Sequence, residues 1–187
     1  MSLIIEGSDC LGKTTFAKKV VRYVLDHDKF PAYYAWMTRP NENNFDFLCH
    51  YKMIINPCIV QDRFHLGAIS YHKNKLSLQN RMQVEQWIEE QGGMIVVLYA
   101  SDFDWYEQLI REDERGNLLS WPILCEANKI FTEIAQSQKK LGPPFFAFNI
   151  SEGRYLDDEV VKRVSDLWIT RRHNKCSELY GKVQGEN

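Results

Sequence analysis

The sequence predicts an α/β protein: a five-stranded parallel sheet with helices on both faces and a lid segment. Two observations predict it. Five short apolar runs, over 2–6, 32–37, 58–61, 94–100 and 145–150, alternate with stretches of helical periodicity, the rhythm of strand–helix–strand units joined by right-handed crossovers. The run over 94–100 is apolar throughout, as a strand buried on both faces must be.

With 187 residues, 44% apolar and 13% aromatic, the chain is one globular domain, and it has enough side chain to bury that disorder is excluded. Its 10 Gly and 6 Pro exclude collagen-like and low-complexity classes. No apolar run approaches the ~20 residues of a membrane helix, and Met1-Ser2-Leu3-Ile4-Ile5-Glu6 carries no export signal, so a cytoplasmic protein without a membrane partner is expected. The five cysteines, Cys10, Cys49, Cys58, Cys125 and Cys176, never form a C-x-x-C pair; free thiols are expected rather than disulfides or zinc. A formal net charge of −2 argues against a dedicated DNA-coating protein.

Taken in order, the strand over 2–6 runs into Gly7-Ser8-Asp9-Cys10-Leu11-Gly12-Lys13-Thr14-Thr15. Phe16, Val20, Val21, Val24 and Leu25 then recur at helical spacing to about His27. The second strand is rich in aromatics and ends at Pro40-Asn41-Glu42-Asn43-Asn44, with a short helix expected over 45–55. The third ends at Asp62-Arg63, and a short helix follows over 66–71. Ser77 caps a longer helix through Gln91, closed by Gly92-Gly93. After the fourth strand come a helix over 102–111 and a charged hinge, Arg111-Glu112-Asp113-Glu114-Arg115-Gly116-Asn117, within a lid of about 111–119. Ser120 before Trp121-Pro122 marks the N-cap of a helix reaching about Leu141. The last helix spans 157–172 and closes the domain 1–172; residues 173–187 show no pattern and read as a frayed tail.

Gly7 to Thr14 satisfies G-x-x-x-x-G-K-S/T, and it stands between a strand and a helix as the mechanism of that motif demands. Successive N–H groups of such a loop face phosphate oxygens at a helix N-terminus, where Gly7 and Gly12 permit close approach. The expected ATP-binding set is Gly7, Ser8, Asp9, Cys10, Leu11, Gly12, Lys13, Thr14 and Thr15. Lys13 neutralises the β- and γ-phosphates, and the Thr14 hydroxyl holds Mg²⁺. A carboxylate at Asp9 is awkward beside polyphosphate unless it faces the second substrate, hydrogen-bonding an acceptor hydroxyl or taking its proton. Asp62 at a strand end serves Mg²⁺ or acts as base, and Arg63 is suited to bidentate binding of an acceptor phosphate. Arg39 ends the second strand on the same edge, placed for an anionic acceptor. Arg111 and Arg115 are lid arginines able to close over the transferring phosphoryl group. His65 and His72 read as ordinary pocket or surface histidines, without a metal site of protein ligands.

These residues resemble the thymidylate kinase and deoxynucleoside kinase superfamily, which implies a P-loop kinase fold. Ile5 to Thr15 is similar to that family's E-G-x-D-G-x-G-K-T-T, with Cys10 at the middle glycine. Thr38-Arg39-Pro40 is similar to T-R-E-P without the Glu. Asp62-Arg63-Phe64 with Ser70-Tyr71 resembles D-R-Y with a downstream A-Y-Q, His72 standing for Gln. The resemblance puts Tyr71 with Arg39 and Arg63 on the acceptor, places the lid at Arg111 to Arg115, begins the adenine-side loop at Asn149-Ile150-Ser151, and implies a homodimer. It departs between Pro40 and Asp62, where 41–61 is too short for the helix pair that grips thymine in thymidylate kinases. The expected activity is transfer of the γ-phosphoryl of ATP, with Mg²⁺, to a pyrimidine deoxynucleotide. An alternative acceptor is the hydroxymethyl group of 5-hydroxymethyluracil in DNA, the reaction implied by phage relatives of this fold; the short 41–61 segment and Arg171-Arg172-His173-Asn174-Lys175 favour it. From a different class, a P-loop ATPase or nucleotide-binding switch would use the loop without a small acceptor.

Overall fold

The computed structural model describes residues 2–36, 58–71, 77–114, 119–137, 143–152 and 157–184. The elements are β1 (Leu3–Gly7), α1 (Lys13–His27), β2 (Tyr33–Trp36), β3 (Ile59–Asp62), α2 (His65–Tyr71), α3 (Leu78–Glu90), β4 (Met94–Tyr99), α4 (Phe103–Arg111), α5 (Trp121–Ser137), β5 (Phe145–Asn149), a 3₁₀ turn (Ile150–Glu152) and α6 (Asp158–Gln184). All five strands pair in parallel, in the order β2-β3-β1-β4-β5. The expected parallel α/β sheet is therefore present.

Alternation along the strands divides the core into two layers. Leu3, Ile5, Met94, Val96 and Leu98 pack on one face against Phe16, Val20 and Val24 of α1, Tyr106 of α4, and Val161, Val164 and Trp168 of α6. Ile4, Ile95 and Val97 pack on the other against Leu66 of α2, Val84 and Ile88 of α3, and Phe131 and Ile134 of α5. A row of partners, Trp36, Asp62, Ile5, Val96 and Phe146, crosses the sheet near its carboxyl edge. The strand order reverses about β1, so the crevice that takes ligands in such sheets lies at the end of β1, where the glycine-rich loop begins.

Caps fix several helix starts. Ser77 Oγ accepts from Asn80 N at 3.1 Å, and Asp102 Oδ1 accepts from Trp105 N at 2.9 Å. Leu124 N bonds to the Ser120 carbonyl at 3.1 Å, which puts Ser120 at the expected N-cap position. Buried Asn128 of α5 accepts from Ala100 N and donates to Ala100 O, locking the end of β4. Among the described residues no helix is long and apolar enough to cross a membrane. The expected helix over 45–55, Met37, Arg39, Cys49, His72, Arg115 to Asn117 and the helix end near Leu141 lie outside the described residues.

One expectation is corrected. The last helix does not stop at Arg172, and 173–187 is not a frayed tail throughout, because α6 continues to Gln184. Its extension is polar, so no apolar period announced it. Side-chain bonds to other elements anchor α6 just where the extension begins: Arg172, 2% exposed, lies 4.7 Å from the Trp168 ring, donates to Pro31 O at 2.9 Å and stands 3.6 Å from Asp28. His173 lies 2.9 Å from Asp28, and Arg171 donates to Gly92 O. Arg171, Arg172 and His173 of the basic run are thus spent on internal contacts. Arg172→Ala is expected to cost about 3 kcal/mol, since it leaves buried Asp28 short of a counter-charge and uncovers Trp168. Urea unfolding checks it, and a midpoint unchanged from wild type would refute the anchoring role.

Candidate active site

After β1 the chain turns through two left-handed residues, Cys10 at φ 66 and Gly12 at φ 79, and Gly12 becomes the N-cap of α1 without a side-chain cap. Cys10 takes a conformation natural to glycine, the residue that the resembled motif carries there. Its thiol donates to Asp113 Oδ2 at 3.1 Å, tying the loop to the segment just beyond α4. No acidic side chain stands in the first turn of α1, so the amides at its N-terminus are open to an anion.

Two tyrosines, Tyr106 buried and Tyr71 half-buried, brace the loop. Tyr71 of α2 accepts from Asp9 N at 3.0 Å. Tyr106 of α4 donates to Asp9 O at 3.0 Å and lies 2.6 Å from Ser8 Oγ. Burial pushes both phenols above their ordinary 10, so they stay protonated and serve as hydrogen-bonding struts.

Five of the expected site residues converge. Lys13, 6% exposed, donates from Nζ to Ser8 O at 2.5 Å and stands 3.7 Å from Asp9 Oδ1. Arg63, itself at a positive φ of 70, donates to the same Asp9 oxygen. Burial lowers the Lys13 ammonium from 10.5 to about 8, with Asp9 acting to raise it and Arg63 to lower it further. Thr14 Oγ1 donates to Asp62 Oδ2 at 2.5 Å, and Tyr34 OH donates to the same oxygen at 2.9 Å. Asp62 Oδ1 is buried without a hydrogen-bond partner. A hard cation taking oxygen ligands fits this pair, and Mg²⁺ draws its remaining ligands from water and phosphate. Among the described residues no group of three or more His, Cys, Asp or Glu could hold a metal.

Two cavities flank the ridge of Cys10 and Gly12. One, of about 280 Å³, is polar and is bordered by Asp9, Lys13, Thr14, Arg63 and Trp36. The other, of about 250 Å³, is apolar and is bordered by Leu11, Phe16, Trp105, Leu109 and Ile150.

Beneath the loop lies a polar cluster that the sequence reading missed. His65, read as a pocket or surface histidine, is wholly buried in the structure. Its Nδ1 is 3.8 Å from Glu6 and its Nε2 is 3.6 Å from Glu85, which also accepts from Arg81 at 2.7 Å. Glu6 accepts from Leu66 N and Gly67 N at 2.7 and 3.2 Å, fixing the start of α2 behind Asp62 and Arg63. Burial raises the Glu6 carboxyl above its ordinary value, against the pull of His65 and the amides. Glu85 faces a burial penalty too, yet His65 and Arg81 hold it below the ordinary value. The available signal was Glu6 itself, a charge at the end of an otherwise apolar strand.

The remaining expected residues are placed differently. Arg111 pairs at 2.5 Å with Glu107 of its own helix and is 75% exposed. The Tyr71 hydroxyl is engaged by the loop amide. Trp36, Tyr34, Tyr106, Trp105 and Leu109 border the site or brace it without having been singled out, since none belongs to a recognisable motif.

No protein family profile matches the sequence, and no curated protein matches it significantly. Among solved structures, the deoxyadenosine kinase of M. mycoides with bound dCTP aligns over 88% of this chain and 96% of its own, at 17% identity and a TM-score of 0.46. The YorR protein of Bacillus subtilis in complex with phosphorylated GDP aligns over 92% of this chain and 98% of its own, at 19% identity and a TM-score of 0.68. That likeness extends along nearly the whole chain, and the fold is the expected α/β fold of five parallel strands, with the glycine-rich loop between β1 and α1.

Proposed function

We propose that this chain is an ATP- and Mg²⁺-dependent kinase that transfers the γ-phosphoryl group to a pyrimidine deoxynucleotide. The observation that carries the proposal is the meeting of Lys13 with Asp9, Thr14, Asp62 and Arg63 around the loop, Asp9, Lys13, Thr14 and Arg63 facing one polar cavity. Adenine occupies the apolar slot of Leu11, Trp105, Leu109 and Ile150, and the phosphates lie on the α1 amides and Lys13. Thr14 and Asp62 would hold Mg²⁺, which when bound spreads the charge of the β- and γ-phosphates. An acceptor phosphate oxygen attacks the γ-phosphorus as the bond to the β-phosphate oxygen breaks. It arrives ionised, so it needs no base. Arg63 grips the acceptor, and Asp9 sets the position of Arg63. Arg39 is proposed to hold the acceptor beside Arg63, and Arg111 and Arg115 to complete the charge around the transferring group from the lid.

A switch or plain ATPase has no use for the Asp9–Arg63 pair beside the loop. The DNA reading keeps its argument from the short 41–61 segment but loses Arg171, Arg172 and His173 of the basic run, which are engaged by Asp28, Pro31, Gly92 and Glu89. The test is labelled-ATP turnover with dTMP, with hydroxymethyluracil DNA and with no acceptor. Turnover of dTMP is expected. DNA turnover with dTMP inert would replace this acceptor, and acceptor-independent hydrolysis alone would revive the switch. Asp62→Asn is expected to lower kcat at least ~100-fold and to raise the Mg²⁺ concentration for half-maximal rate. A variant with the wild-type Mg²⁺ dependence would remove Asp62 from the metal site.

A further inference from the structure

We infer that Trp36 is the platform on which the ring of the acceptor stacks, so that the polar cavity takes an anion joined to a nucleobase rather than a bare phosphate or a simple alcohol. This rests on the kinase reading above and names what its acceptor side recognises.

Trp36 is the last residue of the edge strand β2 and stands directly beside Asp62 in the sheet register. Alternation along a strand puts it on the same face as Tyr34. That face points toward the loop, because Tyr34 OH reaches Asp62 and the Tyr34 ring lies 5.8 Å from Lys18 Nζ of α1. The indole therefore borders the cavity whose other walls are Asp9, Lys13, Thr14 and Arg63. It is 58% exposed, leaving unburied much of the apolar area that makes an indole valuable in a core.

A large flat π face next to two cations complements a ligand with a flat ring at one end and a negative charge at the other. Among the described residues bordering this cavity, only Trp36 is aromatic. The cavity, about 280 Å³, is at the small end of ligand sites. Its Lys13–Thr14 end belongs to the ATP phosphates in the reading above, so the Arg63–Trp36 end takes the acceptor's phosphate while the base lies on the exposed face of Trp36. Stacking on an aromatic side chain tolerates any base, since every base has a π face. Trp36 thus selects for the presence of a base, and leaves the choice among bases to groups at its edge.

The test compares wild type with Trp36→Leu and Trp36→Phe. Three measurements are made: steady-state turnover with dTMP, dCMP, dAMP and dGMP, displacement of a fluorescent ATP analogue by ATP, and indole emission on adding each monophosphate. At least one monophosphate is expected to be turned over and to quench emission. Trp36→Leu should raise KM for that acceptor about tenfold, within the roughly 5- to 150-fold range of base stacking, and should abolish the quench. Trp36→Phe should restore KM to within about threefold, and ATP displacement should be the same in all three proteins. A Leu variant with wild-type acceptor KM and quench overturns the inference. So does a wild type that binds ATP while none of the four monophosphates is turned over or quenches. Failure of wild type to bind ATP would instead remove the kinase reading, and the inference with it.

Discussion

Lys13→Met is expected to abolish phosphoryl transfer while raising the melting temperature. The catalytic half follows from the proposed reaction, in which the Lys13 ammonium is the loop's charge on the transferring group, and losing such a donor costs ~10²- to 10³-fold in kcat. The stability half follows from burial. Desolvation brings the group from 10.5 to about 8, so below pH 8 the folded protein carries a charge that its interior disfavours. A methionine of similar shape removes that penalty, of order 1 to 3 kcal/mol, which at this size is several degrees in Tm. The sign is fixed by linkage: between about pH 8 and 10.5 the unfolded chain binds the proton more tightly, so wild-type stability rises with pH there. Thermal melts of both proteins from pH 6.5 to 9.5 should show the gap in Tm closing above pH 8. Unchanged turnover in the variant would make the loop structural, and a lower Tm at pH 7 would refute the burial argument.

Gly7→Ala should unfold or nearly unfold the protein, at a cost above ~4 kcal/mol. A Cβ there would sit 2.2 Å from Leu98 O and 3.0 Å from Leu98 C, and the residue has φ 140. Leu98 cannot retreat, because it is backbone in the middle of the sheet, paired with Gly7 on one side and Phe148 on the other. Gly12 makes the contrast: nothing lies within 4 Å of its would-be Cβ, and only its left-handed φ of 79 resists substitution. Gly12→Ala should therefore cost about 1 kcal/mol. Urea midpoints of the two variants separate these cases, and a Gly7→Ala midpoint matching that of Gly12→Ala would disprove the clash.

The loop was legible because its chemistry is encoded in contiguous residues, Gly7 to Thr14, and the strands because buried parallel strands are apolar runs. Asp62 and Arg63 could be found because a strand end fixes where they stand. What remained hidden depends on residues far apart in the chain. Nothing local in Tyr106 says that it reaches Ser8 and Asp9, and nothing in Glu85 says that it faces His65. Trp36 was read as part of an aromatic strand, because whether an aromatic faces a core or a cavity depends on neighbours contributed by α1 and β3. The end of α6 beyond Arg172 was hidden for the opposite reason: it is polar and carries no apolar stripe, and His173 ties its start to Asp28.

The two tyrosine braces also bear on the order in which the chain acquires its shape during synthesis. The loop is made first, yet β1 pairs only with β3 and β4, and the loop's upper struts arrive with Tyr71 and then Tyr106. Until α4 has left the ribosome, Ser8 and Asp9 lack the bonds to Tyr106 that brace the loop. A nucleotide held by this loop, as proposed above, could not template the early chain. It would reward only a sheet already closed by long-range pairing, so competence for it would arrive late and mark a chain in which both halves have met.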